Sequence, residues 1–282
     1  CLFGMKPFDS FCIAFGTAGT GGFAVSGAGI AGYNSLAIEV TLGIFMLLFG
    51  VNFTVYHLIM LRKIKDALFM EEVRAYFAIV AAATVAITWN ILSFAGGFGN
   101  ALRQAFFQVT SIITTTGFAT VDFELWPEFS KHMLLLLMVV GACAGSTGGG
   151  MKVSRVLIIV KSFVAEIRQI INPKAIVTVR VNGKPVDRKT LSSTRIYVAA
   201  YMLLLCLFTL VVSLDGFDFT TNFTAVLSCF NNIGPGLNKV GPMANFSIYS
   251  DWAKVVLSFA MLTGRLEIFP MFLLFARSAH DR

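Results

Sequence analysis

The sequence predicts an all-α polytopic membrane protein, with repeated membrane helix–pore loop–membrane helix units set around a central pore. Three observations predict it. Hydrophobic residues fill 56% of the 282 positions, charged residues only 13%, and mean hydropathy is +0.78, far from the soluble average. Apolar runs of the length that a bilayer core demands recur along the chain. Between them lie short apolar segments that end in glycine, of which 106–123, FFQVTSIITTTGFATVDF, is the clearest. Its Thr/Gly run suits a helix poorly and can offer backbone carbonyls to a dehydrated cation. Alone, that stretch reads equally as a soluble β-turn between core elements; the apolar spans around it favour a re-entrant loop.

In chain order, 8–18 is short and apolar and runs into Gly19, Thr20, Gly21, Gly22 and Phe23. A Gly/Ala/Ser/Asn-rich connection leads to a full-length apolar helix expected over 40–61, ended by Arg62, Lys63 and Lys65. A second span is expected over 75–94, closed by Gly96 and Gly97. The short helix of 106–113 and an acidic, aromatic loop follow. A third span starts near His132, breaks at 145–150 (GSTGGG) and continues as a basic amphipathic segment to 171. Residues 173–191 are polar; 176–181 alternates as a strand does, and Asn182-Gly183 is a hairpin turn signal. A fourth span over 196–214, a short helix over 221–232 and a last span over 252–276 complete the chain.

Charge sorting gives an orientation. Most of the 22 lysines and arginines lie in 62–74, in 161–195 and at the C-terminal end. The opposite loops carry Asp122, Glu124, Glu128, Asp215, Asp218 and Asp251. By the positive-inside rule the basic side is cytoplasmic, and all three short helices then open outward.

The short helices also align with one another. With Gly22, Gly117 and Gly234 superposed, Phe11, Phe106 and Phe223 coincide, as do the small residues Gly16, Ser111 and Ser228. Two places before each glycine stands an oxygen-bearing side chain, Thr20, Thr115 or Asn232. A long apolar span follows each, with Gly50, Gly141 or Gly264 inside it. Three copies sharing all of these features are an internal repeat, in which the aligned glycine permits the backbone angles of a carbonyl-lined strand.

The stretches TTTGFATVDF, GACAGSTGGGMKVSR, NNIGPGLNKVGP and MLTGRLEIFP resemble the Trk/Ktr/HKT superfamily of potassium transporters, most closely its TrkH/TrkG branch, and the resemblance covers nearly the whole chain. It implies four repeats around one pore, each giving a filter strand with a key glycine. Carried over, the second, third and fourth filters hold Thr20, Gly21 and Gly22; Thr115, Thr116 and Gly117; and Asn232, Ile233 and Gly234. Potassium, the implied substrate, would meet the backbone of Gly22, Gly117 and Gly234. The chain then divides into a partial second repeat (1–62), a third repeat (63–171), a cytosolic hairpin linker (172–194) and a fourth repeat (195–282). Position 1 is Cys, which reads as a fragment lacking the first repeat and the leading helix of the second; a lipidated mature N-terminus is the alternative. The first filter residue, Gly or Ser, which separates potassium from sodium preference in the plant branch, is then not in this sequence.

Two motifs have competing readings. Gly145, Ser146, Thr147, Gly148, Gly149 and Gly150 resemble a phosphate loop, but Met151 stands where the Walker pattern needs Lys. A Gly-rich packing kink is a second reading. An intramembrane loop under the filter, acting as a gate, is the third and fits the family; irregular backbone at that depth must line a cavity. Arg265 falls mid-span, two places before Glu267, and a charge at bilayer depth costs roughly 2.5–3.5 kcal/mol on the mildest scale, so it is expected to face the interior. It either pairs with Glu267 to hold the fold or stands beside the ion path and works with the Gly loop, as the family's GRLEI arginine implies.

The sequence carries no nucleophile triad, paired carboxylates or metal-ligand spacing, so an enzyme has no chemistry here, and no cofactor or nucleic acid is expected. A secondary transporter of another cation or a small solute is the alternative function, since broken helices occur there too. Same-side repetition argues against it. The resemblance further implies a bacterial inner-membrane homodimer on a cytosolic, nucleotide-binding regulatory subunit of the TrkA type. Residues 161–195 are either its docking surface or a basic face set by topology.

Overall fold

The computed structural model describes residues 1–174 and 177–273. Helix α1 (Pro7–Ala18) begins with proline at its first position, where a missing N–H costs nothing. A loop containing one 3-10 turn leads to α2 (Leu36–Phe49), which breaks into α3 (Phe53–Met60), and α4 (Ile64–Leu68) leads on to α5 (Glu71–Asn90). Helix α6 (Phe98–Ile113) is buried along its C-terminal half and packs against α2, α5 and α7 (Glu128–Val140). The Gly-rich stretch separates α7 from α8 (Val153–Ile171). A small hairpin, β1 (Arg180–Val181) and β2 (Lys184–Pro185), precedes α9 (Arg188–Val212). Helix α10 (Phe219–Asn231) packs against α7, α9 and α11 (Asp251–Arg265), after which comes α12 (Ile268–Leu273).

The predicted all-α class holds, and three expected spans need correcting. The helix expected over 40–61 is two helices bent by 87°. Gly50 lies so close to the Tyr76 hydroxyl and the Thr114 methyl that any Cβ would collide. Asn52 then starts α3 by accepting from the Thr54 amide at 2.9 Å. The last span ends at Arg265 rather than running to 276, because Gly264 is pressed against the Phe230 carbonyl and Glu267 takes a positive φ of 62°. The remainder of that expected span, beyond 273, lies outside the described residues. The third span is interrupted from Gly141, whose φ is 70°, rather than at 145. Gly50, Gly141 and Gly264 thus each mark a break in the helix after a short helix. Among the described residues, two helical stretches, Glu71–Asn90 and Arg188–Asp215, are long and apolar enough to cross a membrane, or three if the bent pair counts as one.

The hairpin is shorter than the strand expected over 176–181. Its register pairs Arg180 with Pro185 and Val181 with Lys184 around the Asn182-Gly183 turn, and residue 176 lies outside the described residues. The turn is anchored: Asn182 Oδ1 accepts from the Glu71 amide at 2.7 Å, and Lys161 bonds both the Glu71 carboxylate and the Arg180 carbonyl.

Candidate functional site

The three short helices end alike. In each, the residue two before the aligned glycine is left-handed: Thr20 (φ 51°), Thr115 (φ 57°) and Asn232 (φ 57°). The next amide reaches back to the small residue of the repeat: Gly21 to Gly16 O at 2.7 Å, Thr116 to Ser111 O at 2.9 Å, Ile233 to Ser228 O at 2.9 Å. The left-handed residue's own amide bonds Thr17, Ile112 or Cys229, which completes a Schellman cap. The small residue found in the sequence is therefore the acceptor of the capping bond.

Beyond the caps the segments touch in sequence. A Cβ on Gly22 would strike the Thr116 carbonyl, and one on Gly117 would strike the Ile233 carbonyl; both glycines also have positive φ, 68° and 84°. Gly234 has φ 113° but no described atom within 4 Å of its would-be Cβ. The three segments thus form an open ring. They line one side of a cavity of about 490 Å³, whose other side is the α11 face carrying Lys254, Ser258, Met261 and Arg265.

Directly against the ring lies the Gly-rich stretch. The Gly149 amide donates to Thr115 Oγ1, and Thr20 Oγ1 donates to the Thr147 carbonyl at 2.9 Å. Gly148 abuts Ala142 and the Thr114 carbonyl, and Gly149 abuts the Asn231 carbonyl. Arg265 Nη1 donates to the same Thr147 carbonyl at 3.0 Å. The six residues 145–150 line a second cavity of about 300 Å³, and Arg265 borders both cavities. Arg265 is exposed to this space, and the pairing with Glu267 does not form: Glu267 binds Arg155 at 2.9 Å.

The profile of the TrkH family, described as cation transport protein, matches residues 4–281. The chain belongs to the TrkH family. It is 34% identical over 279 residues to the Trk system potassium uptake protein TrkG of Escherichia coli K12, covering 98% of this chain and 57% of that protein. It is also 34% identical over 279 residues to the Trk system potassium uptake protein TrkH of Vibrio parahaemolyticus, covering 97% of this chain and 57% of that one. A crystal structure of the potassium transporter TrkH from Vibrio parahaemolyticus superposes with a TM-score of 0.90 at 33% identity, covering 99% of this chain and 60% of the other. The chain spans a little over half the length of the curated relatives it matches.

Several residues in this TrkH-family chain escaped the sequence reading. Glu72, buried at the start of α5, accepts from the Ala144 amide at 2.6 Å and from Asn52 Nδ2 at 3.4 Å, so it ties the Gly-rich stretch to the α2–α3 break. Lys152 closes the stretch by donating to the Gly148 carbonyl. Glu39 and Arg103 form a bidentate pair, at 2.7 and 3.1 Å, between α2 and α6. Glu39 borders the span expected over 40–61 and Lys152 opens a segment that reads as basic, so neither carries the signal of a charge inside an apolar span that marks Arg265. Outside the ring, the acids hold loops together. Glu124 binds Lys131 and the Asn238 amide, and Asp218 caps α10; donation from Thr221 holds the Asp218 carboxyl below the usual carboxylate range.

Proposed function

We propose that the protein to which this chain belongs carries potassium across the bacterial inner membrane through a pore whose selectivity filter includes the open ring of three segments. The observation that carries this reading is the threefold capped segment, in which the Thr116 carbonyl lies against Gly22 and the Ile233 carbonyl against Gly117. In water such carbonyls would be hydrated; in a narrow, apolar setting they can replace a cation's hydration shell. Thr20 to Gly22, Thr115 to Gly117 and Asn232 to Gly234 are then the second, third and fourth filter strands, with potassium bound through Gly22, Gly117 and Gly234. The ring is open beside Gly234, which is where a first-repeat strand would fit. Residues 1–62, 63–171 and 195–282 are the corresponding repeats, with 172–194 as a cytosolic linker. Residues 145–150 form a gate beneath the filter, and Arg265 holds it. The relatives' names, potassium uptake proteins of a Trk system, agree with this reading.

The test is ion uptake by the full-length protein in vesicles. Potassium flux that organic solutes do not inhibit is the expected result. Solute-driven flux without potassium movement would instead favour a secondary transporter.

The partner reading comes from the family resemblance, and charge bears only on where the partner would dock. We take the protein to be a homodimer that rests on a nucleotide-binding regulatory subunit of the TrkA type, with the basic loops cytoplasmic. Arg168, Lys174 and Arg188 are exposed near the anchored hairpin and are in no ion pair among the described residues. Reversing all three charges is expected to weaken co-purification of an acidic regulatory ring, with a larger loss at raised salt. Binding that survives the triple reversal at every salt concentration would leave these residues as markers of topology alone.

A further inference from the structure

The two threonines at the left-handed cap positions have a cost that sequence alone does not explain. Glycine or asparagine occupies a left-handed position cheaply, and the third copy uses Asn232. A β-branched residue with positive φ is a genuine outlier, and such strain persists only where the surroundings over-determine it. Both threonines are buried, Thr20 at 3% and Thr115 at 1% exposure; the Thr115 hydroxyl bonds the Gly-rich stretch, and the Thr20 hydroxyl divides its one proton between Gly19 O at 2.7 Å and Thr147 O at 2.9 Å. Thr20 donates to Thr147 O and Thr115 accepts from Gly149 N, so the two bonds have opposite polarity and grip two different points of one loop. The third copy reaches the same loop by another route. Asn232 Nδ2 donates to Met261 O on α11 at 3.1 Å, and one helical turn later Arg265 donates to Thr147 O.

We propose that Thr20 and Thr115 are coupling residues: their hydroxyls latch the gate loop to the back of the filter strands, so that filter occupancy and loop position share one equilibrium. This rests on the filter and gate reading above. A loop leaving its seat must break both bonds, which releases two strained cap residues whose carbonyl neighbours line the ion path. Conversely, an ion that fixes those carbonyls favours the seated loop. Linkage makes the two effects equal in size.

The test uses the full-length protein in detergent, with hydrogen–deuterium exchange read on peptides covering 142–152, in potassium and in choline. Thr115→Val keeps the shape and the β-branch but removes the acceptor; Thr115→Ser keeps the acceptor. In the wild type, potassium should slow exchange of the loop. In Thr115→Val, basal exchange should rise roughly tenfold, the scale of one lost hydrogen bond, and the potassium effect should shrink or vanish. Thr115→Ser should behave as wild type. A potassium effect of unchanged size in Thr115→Val would overturn the coupling, as would a serine variant that behaves like valine. Potassium flux through wild-type vesicles, measured alongside, keeps the two readings apart. Wild-type flux with unaltered coupling in the valine variant defeats the latch alone, whereas a wild type that carries no potassium defeats the filter reading and the latch with it.

Discussion

Arg265→Ala in the full-length protein is expected to raise potassium flux when the regulatory subunit is absent, and to make flux depend less on that subunit when it is present. The guanidinium stands between the two cavities and donates to the carbonyl of Thr147. A hydrogen bond from a charged donor is worth about 1.5–3 kcal/mol, which corresponds to roughly tenfold to hundredfold in a closed-to-open ratio. Alanine removes both the bond and a positive charge facing any cation that approaches from the loop side. Deleting residues 148–150 should act in the same direction, because it removes the atoms packed against Thr114 and Asn231. Flux into reconstituted vesicles, with and without the subunit, is the measurement. Lower flux from correctly folded variants would mean that these parts brace the pore rather than close it.

Gly117→Ser should damage selectivity, where loss of Arg265 changes the rate of flux. The site combines a positive φ of 84° with a would-be Cβ that meets the Ile233 carbonyl. Strained backbone and overpacking each cost about 1–3 kcal/mol, and the strand can relieve both by turning its carbonyls out of register. The damage would not stay local, since the displaced atom belongs to the neighbouring strand. Potassium-over-sodium flux should fall by at least about tenfold, a shift of about 1.4 kcal/mol, while membrane insertion is kept. Unchanged selectivity in vesicles would remove Gly117 from the filter.

The legible parts of this chain were those where one residue type is forced by local geometry. The three aligned glycines answer to a positive φ, and Gly22 and Gly117 also to close backbone approach; the small residue five places before the second cap amide answers to the tight turn. Such needs leave a fixed spacing, so the repeat itself is legible in the sequence. The breaks at Gly50 and Gly264 left only an ambiguous mark, because hydropathy over 40–61 and 252–276 is indifferent to a bend. What decided them were collisions with Tyr76 and Phe230, contacts that no local spacing encodes. Glu72 was unreadable for the same reason: its partner amide is 72 residues away. The sequence offers Arg265 two partners, Glu267 or the Gly-rich stretch, and the structure gives the second, through the Thr147 carbonyl.

The carbonyl of Thr147 also bears on how such a chain is made. Its two donors lie 127 residues before it and 118 residues after it. A ribosome delivers them in order, so the loop emerges after Thr20 but well before Arg265. Helices α1 and α10, of 12 and 13 residues, are too short to cross the bilayer alone and must be carried in by their neighbours. Until α11 is in place, the loop is held by its upstream partners, but the Thr147 carbonyl has only one of its two donors, in a medium that penalises the deficit. Late, long-range contacts of this kind are slow to form. The second bond to the Thr147 carbonyl is therefore a late event of assembly, and a chain truncated before α11 would hold its Gly-rich stretch without it.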